Sequence, residues 1–154
     1  MGLSGAHAPT LERPVVIVLV GGEEARVTLY LASLSSRHAG PETLEEFLNA
    51  PARFLPVRYP NGGHALVRRD AVLLVRAEPE SRGALDDLAS LPSIDLLHVR
   101  LEGGVELDGV LQRVDSAPRA RLSDYFNDAS RFFPLEVSGG LVYVNKDHVI
   151  ALTL

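Results

Sequence analysis

The chain has 154 residues, 46% of them hydrophobic and 23% charged, with a formal net charge of −5. That composition is globular, and the length suits one ordinary domain or two small ones at about 100–200 residues each. The absence of cysteine excludes disulfides, zinc–thiolate sites and a thiol nucleophile, and the acidic balance argues against general nucleic-acid affinity, which needs a basic excess or a clustered basic patch.

Residues 1–13 mix Gly, Ser, Ala, His and Pro without periodicity, so a flexible arm is expected, with no signal-peptide pattern. Val15–Val20 is the longest apolar run, far short of the roughly 20 residues a membrane helix needs, and its β-branched content predicts a buried strand. Gly21-Gly22-Glu23-Glu24 reads as a turn and Val27–Leu34 as the second strand of a hairpin. Thr43–Asn49 predicts a short helix, with Thr43 and Glu46 at capping-box spacing and Leu44, Phe47 and Leu48 on one apolar face. A strand at Arg53–Tyr59, a Pro60-Asn-Gly-Gly63 turn and a strand pair or bent strand over Ala65–Ala77 follow. Glu78–Gly83 reads as a linker and Ala84–Leu91 as a short amphipathic helix before Pro92. The pattern then recurs. Strands are expected at Ile94–Leu101 and Val105–Val114, a helical turn at Arg121–Asn127, a strand at Arg131–Val137 and a final strand or bent pair over Leu141–Leu154.

Fixed-period similarity carries the most architectural information in the chain. At an offset of 78, Leu44, Asn49, Arg53, Phe54 and Pro56 meet identical residues at Leu122, Asn127, Arg131, Phe132 and Pro134. With one residue dropped, Arg68–Leu73 lies over Asn145–Ile150. At the front, the same offset sets Val27 against Val105 and Leu29 against Leu107. The organisation expected is an arm (1–13), a first unit (14–78), a linker with a short helix (79–93) and a second unit (94–154). Each unit is expected to be a small barrel or strongly bent sheet, with its edges paired to the other across a pseudo-twofold axis. Asn49 and Asn127 are expected to stop the helices in the left-handed conformation. Phe54 and Phe132-Phe133 are expected in the core or between units.

Two resemblances attach to these residues. Arg121-Leu-Ser-Asp-Tyr-Phe-Asn127, Phe132-Phe-Pro-Leu135 and Val144-Asn-Lys-Asp-His-Val-Ile150 resemble a bacterial domain family of unknown function, which implies no activity. Val99–Leu111, with a Gly turn and a bend-permitting Gly109, is similar to the first motif of Sm-like small β-barrels, and Asn145–Ile150 sits where their second motif would be. The RNA-binding residues of Sm-like proteins are replaced here by Asp115-Ser-Ala-Pro and Asn145-Lys146, so the resemblance implies a barrel more than RNA binding.

No nucleophile elbow, phosphate-binding loop or dinucleotide fingerprint is present. His7, His38, His64, His98 and His148 lack metal-ligand spacing, so no metal and no cofactor are expected. Glu46 and Asp124 could form a repeat-related acid–base pair, but negative charge beside a helix start accounts for both. Arg53, Arg68, Arg69, Arg131 and Lys146 are the candidate binding residues, although solvated strand ends in local ion pairs with Asp70 and Asp147 are the simpler account of them. The reading is a mainly β, α+β protein without catalytic residues: a cytoplasmic interaction or regulatory module acting on a protein partner or by self-association, away from membranes. Nucleic-acid or anionic-ligand binding through the five basic residues is the alternative.

Overall fold

Thr10–Leu19 (β1) ends in the apolar run Val15–Leu19, and Glu24–Ala32 (β2) alternates buried with more exposed residues; the two pair antiparallel with Val15, Ile17, Val27 and Leu29 buried. Gly21 and Gly22 close the hairpin at φ 105° and 93°, where a side chain would be strained. A computed structural model describes residues 10–77, 93–113, 122–138 and 140–154. Within them β1 begins at Thr10, inside the stretch expected to be an arm. Of the expected linker (79–93), Ser93 opens a strand, and residues 79–92 with the expected helix at 84–91 lie outside the described residues, as do residues 1–9.

The first half continues with α1 (Leu44–Asn49), β3 (Phe54–Arg58), β4 (His64–Arg68), a 3-10 turn at Arg69–Ala71 and β5 (Val72–Ala77). The second half runs through the same order: β6 (Ser93–Leu101), β7 (Glu106–Arg113), α2 (Leu122–Phe126), β8 (Phe132–Val137), β9 (Gly140–Asn145), a 3-10 turn at Lys146–His148 and β10 (Val149–Thr153). The Thr43–Glu46 capping box forms, with the Thr43 side chain accepting from Glu46 N–H and the Glu46 carboxylate accepting from Thr43 N–H.

The irregularities also recur. β1 skips Leu73 of β5 in a bulge, and β6 skips Ile150 of β10. β2 meets β3 only at Thr28–Arg58, and β7 meets β8 only at Val110–Glu136. Leu19 N–H donates to Glu23 O, and Leu101 N–H to Val105 O, both at 2.8 Å. These correspondences set the hairpins 82 residues apart (19 to 101, 28 to 110), whereas β3 and β8 remain 78 apart (58 to 136). Val27 therefore corresponds to Gly109 and not to Val105. At Gly109 an added Cβ would lie 2.5 Å from Leu135 Cγ and 2.7 Å from Glu136 O, so glycine lets β8 approach β7 closely.

All ten strands of the described residues form one antiparallel sheet in the order β10-β6-β7-β8-β9-β5-β1-β2-β3-β4. Of the two forms expected for each unit, small barrel or bent sheet, the closed barrel is not formed. The sheet is open, with β4 and β10 as its terminal strands, because the free side of β5 pairs with β9 of the other half. It also corrects the expected twofold: β5 corresponds in order to β10, not to β9, so the halves join head to tail. The core divides into two apolar clusters, and each borrows across the join. Phe132, Leu141 and Tyr143 pack with Val15, Leu29, Leu48 and Val75, while Val18, Leu73 and Leu74 pack with Val99, Leu111 and Val144.

Candidate interaction surface

The join is built by strand pairing and then locked by side chains. Leu74–Ala77 of β5 pairs with Leu141–Val144 of β9, in the register Leu74–Val144 to Ala77–Leu141. Asn49, the last residue of α1, reaches across it. Its Oδ1 accepts from Arg131 N–H and Phe132 N–H, each at 2.8 Å, and its Nδ2 donates to Phe132 O at 3.2 Å. A carboxamide carries both a donor and an acceptor, so one side chain satisfies the start of β8 as a neighbouring strand would. The expected left-handed stop at Asn49 is therefore corrected: the helix runs out into an extended Ala50 (φ −65°, ψ 156°). Asn145 Nδ2 donates to Val72 O at 3.0 Å from a fully buried position, and Arg131 Nη1 contacts Asp70 Oδ1 at 3.0 Å.

His148 also spans the join, with Nδ1 2.7 Å from Glu102 Oε2 and Nε2 against Asp70 O. Both ring nitrogens face acceptors, and only the imidazolium donates from both. Desolvation opposes the charge, but the Asp70 carbonyl and the Glu102 carboxylate outweigh it and hold the pKa above the ordinary value. His38, between Ala39 O and Glu46, and His98, between Asp108 (2.7 Å) and Glu106 (3.2 Å), have the same double-acceptor setting and the same upward direction. Glu46 is held low: partial burial pushes it up, and donors from Ser35, His38 and Thr43 more than offset that.

The five basic residues have different surroundings, although the backbone links Arg69 N–H to Arg53 O and Lys146 N–H to Arg131 O, each at 2.7 Å. Arg53 and Arg68 are exposed, on the chain entering β3 and at the end of β4. Arg131 is matched by Asp70. Lys146 Nζ sits between Asp128 Oδ1 (2.8 Å), Tyr125 O (3.1 Å) and Ser130 Oγ (3.1 Å), beside the Tyr125 and Phe126 rings. Its partner is thus Asp128, not Asp147. Arg69, the counterpart of Lys146, is only 1% exposed. Its Nη2 reaches Phe47 O at 3.3 Å, the carbonyl that corresponds to Tyr125 O, but Ala50 and Ala52 stand where the second half has Asp128 and Ser130. Arg69 Nε and Nη1 are buried without a partner among the described residues, and burial first, then the Arg131 charge, lowers its pKa.

Large apolar side chains remain exposed at the ends of the sheet: Phe54 on β3, Leu66 on β4 and Ile150 on β10. An open groove of about 600 Å³ lies between β6, β7 and β8, lined by Leu96, His98, Gly109, Val137 and Thr153 among others. No grouping of His, Asp and Glu suited to a metal ion occurs among the described residues, and none of their helices is long and apolar enough to cross a membrane. Comparison with protein-family models, curated proteins and solved structures finds no match.

Proposed function

We propose that this chain is a non-catalytic interaction or regulatory module, formed by tandem duplication of a small bent-sheet unit and acting through protein–protein contacts on its terminal strands. The observation that carries this is apolar exposure at both sheet ends, on Leu66 and Ile150, beside backbone edges that can accept another strand. The duplication is supported by the shared element order, the paired bulges and the five identities at an offset of 78. An Sm-like ancestry for each unit, kinship of the second half with the family of unknown function and a cytoplasmic location belong to the same proposal. A photo-crosslinking residue at position 66 or 150 tests it in cells. Protein adducts are expected there and not at the exposed loop residue Leu34. Adducts absent from both edges, or equally frequent at Leu34, would overturn the reading.

The alternative, binding of nucleic acid or another anionic ligand, finds support in Arg53 and Arg68, since Arg68 is the register partner of Phe54, next to Arg53. Arg69, Arg131 and Lys146 are engaged elsewhere. Binding of labelled single-stranded RNA that weakens steeply with salt and is lost in R53A/R68A would favour it.

A further inference from the structure

We infer that copies of this chain assemble head to tail, β4 of one copy pairing antiparallel with β10 of the next and repeating the join that β9 and β5 make within each chain. The inference rests on the duplication proposed above and names the partner as a second copy. β4 corresponds to β9 at an offset of 77 (66 to 143), and β5 to β10 at the same offset (73 to 150). Each half thus owns one edge of either kind, and the chain uses one of each internally and leaves one of each at its ends.

The residues of the join recur on the free ends. Asn49 has Asn127 as its counterpart, Arg131 has Arg53, Phe132 has Phe54, and Asp70 has Asp147. All four counterparts are exposed. Transferring the contacts places the Asn127 amide on Arg53 N–H and Phe54 N–H of the next copy, and Arg53 opposite Asp147. Arg68 stands for Asn145 and keeps a donor, here for Val149 O in place of Val72 O. The burial difference follows the same line. Phe132 is 1% exposed and Phe54 49%; Tyr143 is 4% and Leu66 68%; Leu73 is 1% and Ile150 55%. The apolar residues on the terminal strands are those whose counterparts are covered in the join. The internal register, Val75 opposite Tyr143, becomes Leu152 opposite Leu66.

Because the two edges differ, the contact is heterologous, and it closes into a ring or extends as a filament according to the rotation per copy. L66R blocks one edge and I150R the other, both at exposed positions. In sedimentation velocity the wild type is expected to form species larger than a dimer, each variant to be monomeric with unchanged circular dichroism, and their equimolar mixture to stop at a 1:1 dimer. In the cysteine-free background, L66C mixed with L152C is expected to form the mixed disulfide in preference to either homodimer. A wild type that stays monomeric up to its solubility, a single-edge variant that still dimerises, or a mixture that stays monomeric would overturn the inference. Edge adducts to other proteins from a monomeric wild type would overturn self-assembly alone. Edges without any adduct would overturn the interaction module itself.

Discussion

Asn49 shows how one side chain can decide a tertiary join. Its amide satisfies two backbone N–H groups and one carbonyl at the start of β8, 83 residues away at Phe132. Removing it leaves part-buried backbone groups unpaired, at roughly 1–3 kcal/mol for a lost partner. N49A is therefore expected to lose about 2 kcal/mol in urea unfolding, near the middle of that range. Asn127, whose amide donates to Ser123 O within its own turn, should lose far less from the isolated chain in N127A. Arg69 presents the opposite case. Its guanidinium is buried with two nitrogens unpartnered, and burying such a charge costs more than a well-packed apolar side chain of similar length. R69M is expected to be neutral or stabilising by about 1 kcal/mol, and a clear loss would show an unrecognised partner.

His148 makes the join sensitive to pH. Its pKa is raised on folding, so the folded state holds the proton more tightly than the unfolded chain, whose histidines titrate near about 6.5. That contribution is complete below the unfolded value and is lost as pH rises through the folded one. Stability against urea should fall as pH rises above about 6.5, and H148Q should flatten the fall in part, since His38 and His98 act in the same direction. At acid pH the sign reverses: Glu46 and Asp128 have lowered pKa values, so their contribution disappears as pH drops through them.

Among the elements, Gly109 is the tightest point. Its β7 backbone lies against Leu135 and the Glu136 carbonyl with no room for a methyl group. G109A should cost about 1–3 kcal/mol, typical of overpacking, and unfolding midpoints of the purified variant would measure it. Local chemistry made several elements legible in the sequence. The Thr43–Glu46 pair announces α1, Gly-Gly pairs announce the hairpin turns, the β-branched apolar run announces β1, alternation announces β2, and recurrence of that pattern announces β7. The offset of the hairpins was misread because 78 aligns Val27 with Val105, two residues of the same type. The offset is 82, set by backbone pairing that no single residue encodes. Asn49 was misread for a related reason: a terminal Asn suits a left-handed stop, and its true partners lie in the other half. Sequence proximity offers Asp147 as an ion-pair partner in this turn, but Lys146 pairs with Asp128, 18 residues earlier.

At the scale of the whole molecule, the strand order decides what is exposed. Pairing β5 with β9 covers Phe132, Leu73 and Tyr143, and it leaves β4 and β10 open at opposite ends. Periodicity identified the strands but carried no information on which distant strand would take the free side of β5. The surroundings of the basic residues were hidden for the same reason: Arg69 is buried, Arg131 meets Asp70, and Lys146 meets Asp128. Phe54 and Phe132, identical in sequence, differ in environment, so F132A should cost about 3–5 kcal/mol and F54A less than about 1 kcal/mol in the isolated chain.

Amide hydrogen exchange of the wild type, followed as concentration rises, tests most directly that the terminal strands are the working surface. The account predicts that amides of residues 65–68 and 150–152 gain protection with concentration or on addition of a captured partner, while exposed loop amides near Leu34 do not change. Protection at the terminal strands that never changes, with gains confined to the groove beside Leu96 and His98, would contradict it.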